Sequence, residues 1–256
     1  MLRKRKGAVE WLEFELLQGV SGLVHAVFTR RGGVSKGPWA SLNLSASTGD
    51  DPSCVAQNLQ LIQEILGLPI ASGKQCHGVV IADVEREGCA GTCDGLLTGT
   101  EGVALLVKHA DCQAALFVDP ARRLLANVHA GWRGNVQNIY AQTVQRLIER
   151  GARAEELLVG ISPSLGPEAA EFLHYRDAFP EALWRFQTTP YHFDLWGVAR
   201  AQLEACGILP HHIEIASLCT YSNPEDFFSH RRDPRSGRNG TAAGFRKSTT
   251  VQSGRC

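Results

Sequence analysis

An α+β fold, with mixed β-sheets flanked by helices in a single compact domain, is what this sequence predicts, and three observations predict it. Short apolar, β-branched runs are interspersed with amphipathic segments, without a strict strand–helix–strand rhythm. No repeat of fixed period and no linker-like stretch divides the chain. Hydrophobic residues make up 44% of the 256 positions, enough for a substantial core. The chain reads as an N-terminal segment over 1–20, the domain proper over 21–246 and a polar, disordered tail over 247–256.

Each element has a local signature. Residues 24–29 read as a strand running into the turn Arg30-Arg31-Gly32-Gly33. Asp51-Pro52 opens a helix, with Asp51 as cap and Pro52 in the first turn, where its missing N–H is harmless. Val55, Leu59, Ile62, Ile65 and Leu66 form the apolar stripe of that helix. Residues 79–84 and 102–108 are of strand type, and Cys89 and Cys93 sit between them in a Gly-rich turn or, alternatively, a second metal site. Residues 114–118 and 123–128 flank Asp119-Pro120-Ala121-Arg122, which suits a type I turn. A hairpin centred there pairs Val118 with Arg123 and sets Cys112 directly opposite His129.

A helix then carries Val136, Tyr140, Val144, Leu147 and Ile148 on one face and stops at Gly151. Its positive dipole end would lie just after His129 and favour negative charge there. Residues 157–161 are a strand, 168–179 and 195–206 are helices opened by Pro167 and Asp194, and 213–216 are a strand.

Charge and composition exclude several partner classes. Lys+Arg and Asp+Glu balance at 26 each, which favours neither nucleic acid nor an anionic membrane. The basic start, Met1 to Lys6, resembles the front of a signal peptide, but Glu10, Glu13 and Glu15 interrupt the apolar run one would need. No stretch approaches the roughly twenty apolar residues that span a bilayer. A cytoplasmic protein with reduced cysteines is the expectation, since the eight cysteines follow no disulfide framework.

Three blocks carry the chemistry: Gln75-Cys76-His77-Gly78, His109-Ala110-Asp111-Cys112 and Val128-His129-Ala130-Gly131. Two imidazoles and one thiolate suit a zinc ion with its fourth position open. Taken singly, a buried His bonded to a carbonyl or a buried free Cys explains each residue equally well, and the spacing matches no short zinc signature. Asp111, beside Cys112, is placed to move a proton or hold a ligand. Elbow, Walker and dinucleotide fingerprints are missing from the sequence. A Cys112–His129 nucleophile and base pair is the rival enzyme reading, and zinc in a binding protein is the non-enzymatic one.

The chain resembles the YfiH or laccase-domain family over about 24–245. The resemblance is carried by the three blocks above together with Phe28-Thr29-Arg30-Arg31-Gly32-Gly33-Val34-Ser35, Ser41-Leu42-Asn43-Leu44, Gly49-Asp50-Asp51-Pro52 and Asp94-Gly95-Leu96-Leu97-Thr98. Cys219-Thr220-Tyr221-Ser222 and Phe227-Phe228-Ser229-His230-Arg231-Arg232-Asp233 complete it. It implies a purine nucleoside phosphorylase and adenosine deaminase, with zinc held by His77, Cys112 and His129, or an editing factor for peptidoglycan precursors. The expected substrates are phosphate and adenosine, inosine or methylthioadenosine. Arg30, Arg231 and Arg232 would then hold phosphate in forked geometry, and Asn43 a ribose hydroxyl or base edge. The family's copper-oxidase label finds little here, because the one methionine is Met1 and no His-x-His pair occurs. Cys76, His109 and Glu168 depart from the family pattern, which bears on the pocket and not on the three ligands.

Overall fold

All but two of the strands, which pair by themselves, assemble into two sheets packed face to face, which the computed structural model describes over residues 1–248. In chain order the strands are β1 (Leu2–Lys6), β2 (Val9–Glu13), β3 (Leu23–Phe28), β4 (Ile70–Lys74), β5 (Ile81–Asp83), β6 (Gly88–Thr92), β7 (Gly95–Thr98) and β8 (Ala104–His109). They continue as β9 (Gln113–Asp119), β10 (Leu124–Ala130), β11 (Leu158–Ile161), β12 (Gln187–Thr189), β13 (His192–Phe193), β14 (Ile213–Ile215) and β15 (Asn239–Phe245). The helices are α1 (Pro52–Leu66), α2 (Trp132–Val136), α3 (Ile139–Glu149), α4 (Tyr175–Ala178) and α5 (Leu195–Ala205).

One sheet has the order β1-β2-β3-β15-β8-β4-β6 and the other β14-β11-β9-β10-β7-β5. Both are mixed: β4 runs parallel to β8 and β6, and β5 to β7, while the central pairs are antiparallel. Side-chain alternation explains the layering. Along β9 and β10, Leu116, Val118 and Leu125 point toward the larger sheet, where they meet Leu105, Val27, Ala243 and Phe245. Their neighbours Ala115, Phe117, Ala126 and Val128 point outward onto Tyr140, Val144 and Leu147 of α3 and Leu203 of α5. On the far side of the larger sheet, Ile62 and Leu66 of α1 cover Ala104, Leu106 and Ala242. The result is helix, sheet, sheet, helix, the mixed-sheet architecture that the strand and helix pattern implied.

Several elements form where expected. Asp51 accepts the Ser53 N–H at 2.8 Å, Pro52 occupies the first helical turn, and Gly67 at φ +66° closes α1. Asp194 caps α5 through the Gly197 N–H. Residues 1–20 are not set apart from the domain. They supply β1 and β2, and Leu12, Phe14 and Leu17 enter the core between the sheets.

Three local expectations are corrected. The helix expected to run on from Val136 is broken in two at Asn138, which adopts φ +54° and caps α3 through the Ala141 N–H at 3.1 Å. Asn tolerates this left-handed conformation because its short polar side chain bonds locally. The dipole beside the centre is therefore that of the five-residue α2. Residues 168–179 form turns and the short α4, because the Phe172 N–H bonds Tyr191 and Ala170 accepts the Phe193 N–H. Phe172, Tyr175, Phe179 and Phe193 then pack as a separate aromatic cluster. The Gly-rich stretch expected to be a turn is strand β6, paired parallel to β4. The expected disordered tail lies outside the described residues apart from Lys247 and Ser248.

Candidate metal centre

The centre lies at one end of the sandwich, where three loops and a strand converge. Just after β4, the Gln75 side-chain amide donates to the Lys108 carbonyl (2.7 Å) and accepts the Lys108 N–H (3.0 Å). This two-way bond imitates strand pairing and brings the next residues against β8. His77 follows at φ +62°, and the turn is held by a carboxylate that the sequence alone did not single out. Asp94 Oδ1 accepts the His77 N–H (2.9 Å), and Oδ2 accepts those of Cys76 (3.1 Å) and Gly78 (2.7 Å). Three successive amides thus wrap one anion.

The same Asp94 reaches the second histidine. Its Oδ1 accepts from His129 Nδ1 at 2.9 Å, and its backbone carbonyl accepts the His129 N–H at 2.6 Å. His129 is 4% exposed, on β10, with its Nε2 left to face the centre. Burial alone would raise the Asp94 carboxyl, but the bonds from His129, Cys76 and Gly78 outweigh it and hold it well below the usual range. The sequence held one clue: an aspartate directly before the apolar run Gly95-Leu96-Leu97 enters the core, where a charge needs partners.

Cys112 arrives from the β8–β9 connection. Asp111 there sits at φ +82°, its Oδ1 accepting from the Thr220 hydroxyl (2.7 Å) and its Oδ2 from the Arg231 N–H (2.6 Å). The hairpin register differs from the expected one by two residues. Asp119 pairs with Leu124, and His129 with Ala114. Asp119 Oδ1 captures the N–H groups of Ala121 and Arg122, and Arg123 turns at φ +55°, which moves the four-residue loop on by one position, from 119–122 to 120–123. Continued past the strand, this register sets Cys112 across from Gly131. A side chain at Gly131 would put its Cβ 3.0 Å from both Cys112 Sγ and His77 Cδ2, so any larger residue would push on two members of the group.

Ligand atoms of His77, Cys112 and His129 lie within 4.8 Å of one another, a spacing one ion can bridge with modest adjustment. The two imidazoles meet edge to face at 4.9 Å between centroids. Burial opposes charge on Cys112, yet His129 and His77 overcome it and pull the thiol down to about 6. Burial likewise opposes charge on His129, and the Cys112 thiolate and Asp94 push it up to about 9. A metal ion therefore meets a sulfur already deprotonated at neutral pH and displaces chiefly the imidazolium proton. The donor set, with a carboxylate on the remote nitrogen of one His, suits a divalent borderline-soft ion.

The other residues marked in the sequence have structural partners. Arg30 spans the Ala40 and Pro224 carbonyls and stacks on Phe228. Arg232 binds the carbonyls of Thr220, Tyr221 and Phe227. Arg231 binds those of Ala169 and Glu171, each at 3.0 Å. Asn43 is fully buried, its amide spent on Ser45, Thr48, Asp50 and the Arg238 N–H. His109 bonds Thr241 at 2.9 Å, and burial, then the charge of His129, pushes it down to about 3. It is neutral and stands outside the donor group. The Cys76 thiol turns to Asp94 Oδ2 at 3.2 Å. The seven cysteines among the described residues are free.

Residues 24–246 match the family described as multi-copper polyphenol oxidoreductase laccase. The chain belongs to this laccase family. A relative described as purine nucleoside phosphorylase PA4543, from Pseudomonas aeruginosa, is 37% identical over 221 residues, covering 83% of this chain and 89% of its own. Among solved structures, YlmD from Geobacillus stearothermophilus superposes with a TM-score of 0.85 at 30% identity, covering 95% and 98% of the two chains. The hypothetical protein YfiH of Bacillus licheniformis gives 0.84 at 26%, covering 93% and 97%. Within this laccase-family chain, the described residues contain one group of three or more metal-competent side chains, the His-Cys-His set.

Proposed function

We propose that this protein is a zinc-dependent purine nucleoside phosphorylase that also deaminates adenosine. The observation carrying the reading is the His77, Cys112 and His129 group oriented by Asp94, in a chain whose relatives bear the phosphorylase name. The substrates we assign are phosphate with adenosine, inosine or methylthioadenosine, yielding the base and a sugar 1-phosphate. His77, Cys112 and His129 would hold the zinc ion, which when bound supplies Lewis acidity and an activated water for deamination. Asp94 keeps the His129 Nδ1 proton in place, so the proton a metal ion would displace is the one on Nε2, whose lone pair then faces the ion. Asp111 anchors the Cys112 loop to Thr220 and Arg231, and we assign it positioning before proton transfer because both its oxygens already accept. With three protein donors the fourth position stays open, which favours chemistry over a closed structural site.

The test is an activity panel on purified protein of measured zinc content. Inosine with phosphate should yield hypoxanthine, and adenosine should release ammonia. Stripping the metal should abolish both, and zinc should restore them. Unchanged cleavage without metal overturns the zinc role, and no turnover of any of the three nucleosides by zinc-loaded protein overturns the enzyme assignment.

One observation favours a second reading, a Cys-His amidohydrolase acting on peptidoglycan precursors. Without metal, Cys112 and His129 form a thiolate–imidazolium pair, the resting form of such a nucleophile. A covalent substrate adduct on Cys112 in metal-free protein would decide for it.

A further inference from the structure

A phosphorolytic site needs a cation for its attacking anion, and the arginines marked in the sequence are spent on carbonyls. Arg238 is different. It directly precedes β15, whose first residue Asn239 pairs with His109, so by register it stands beside Ala110 at the root of the Cys112 loop. Arg238 is half-buried, and the negative charges of Cys112 and Asp111 partly offset the burial that opposes its guanidinium charge. Only Nη1 is bonded, to the carbonyls of Ser236 (2.7 Å) and Gly237 (3.0 Å). Among the described residues the Nε and Nη2 groups have no protein acceptor, and neither is among the buried atoms left without a partner. Among the described residues no carboxylate lies in ion-pair range of Arg238.

The backbone holds this side chain in place. Asn43 Oδ1 accepts the Arg238 N–H at 2.9 Å, and Leu44 donates to the Arg238 carbonyl at 3.1 Å. Gly237 before it is wedged between Phe228 and Asn43, where a Cβ would come within 2.8 and 2.9 Å. Burial opposes the guanidinium charge, so an anchored fork left without a carboxylate is suited to an anion that arrives from outside. Asn43, its own amide fully engaged, thereby fixes the backbone at Arg238.

We propose that Arg238 is the oxyanion-binding residue of this site, its Nε and Nη2 gripping two oxygens of the attacking phosphate. This rests on the phosphorolytic reading above. Hydrogen phosphate forms a C1′–O bond as the C1′–N9 bond breaks. The electron pair of that bond leaves with the purine, which takes up the proton that hydrogen phosphate gives up. Arg238 offsets phosphate charge close to Asp111 and fixes the direction of approach.

The test uses zinc-loaded protein, wild type and Arg238→Gln, with Arg238→Lys as a charge-conserving companion. Inorganic phosphate binding by calorimetry, phosphate KM with inosine, and adenosine deamination are measured together. Arg238→Gln should raise the phosphate KM at least about tenfold and weaken phosphate binding alike, with a distinctly smaller loss of adenosine deamination. Arg238→Lys should fall between, because the charge remains and the fork is lost. In wild-type protein, phosphate should shield Arg238 from phenylglyoxal, read by peptide mass; this arm needs no variant to fold. An unchanged phosphate KM, equal losses of phosphorolysis and deamination, or no shielding overturns the proposal. If wild type binds phosphate through Arg238 yet cleaves no nucleoside, the anion site stands and the phosphorolytic reading falls.

Discussion

At the residue scale, Asp94 holds the two histidines of the His-Cys-His group together. One carboxylate positions His77 through its backbone and His129 through its ring, and Cys76 and Gly78 fill its remaining acceptor sites. Asp94→Asn keeps the size but places an NH₂ where two N–H groups already point. Carboxylates behind metal-binding histidines are worth about 10–100-fold in metal affinity. The expected outcome is zinc affinity lowered by at least that range, measured by competition with a coloured chelator. Wild-type affinity in this variant would show that the ligands position themselves.

At the element scale, the N-terminal hairpin is tied to the loop before Phe227 by a charge network. Arg3 and Arg31 both donate to Asp226, and Arg3 also meets Glu10. The Arg3 hydrogen bond, against opposing burial and helped by Arg31, lowers the Asp226 carboxyl below its ordinary 3.8. A depressed carboxyl stabilises the fold above its unfolded value and loses that contribution as pH falls through the folded one. Asp226→Asn should therefore destabilise by up to about 1 kcal/mol at neutral pH, the scale of a partly exposed ion pair. The deficit should shrink as pH falls below the ordinary carboxyl value and vanish once the lowered Asp226 carboxyl is itself protonated, in urea unfolding followed across pH. A deficit independent of pH would assign the effect to packing. Elements capped by their own neighbours were legible here: Asp51 before α1 and Asp194 before α5 need only residues within one helical turn. The break at Asn138 and the unwinding of 168–179 were not, because alternative hydrogen bonds, local in one case and from 191–193 in the other, outcompete an amphipathic pattern.

At the scale of the molecule, Asn127 links the two sheets. It sits on the inner face of β10, two residues before His129, and donates to the carbonyls of Leu105 (3.0 Å) on β8 and Thr241 (2.8 Å) on β15. A buried amide in a largely apolar interface fixes how one sheet sits on the other, and hence where His129 lies relative to loops from the larger sheet. Asn127→Ala strands both carbonyls and should cost about 2–3 kcal/mol in denaturant unfolding, with weakened zinc retention. Normal zinc retention at that loss of stability would separate sheet alignment from the centre.

The sequence by itself determined the class of fold, the capped helices and the chemical types in the centre, since those follow from periodicity, caps and block resemblance. Tertiary structure alone decided which groups stand at the centre and which are held elsewhere. The hairpin register moved by two residues once Asp119 gathered its loop, and Arg30, Arg231 and Arg232 were claimed by carbonyls that no spacing rule foretells. Asp94 and Arg238 gained their places from partners far along the chain. The reason is physical: a helix cap is satisfied within a few residues, whereas a buried charge is satisfied by whatever the fold delivers to it.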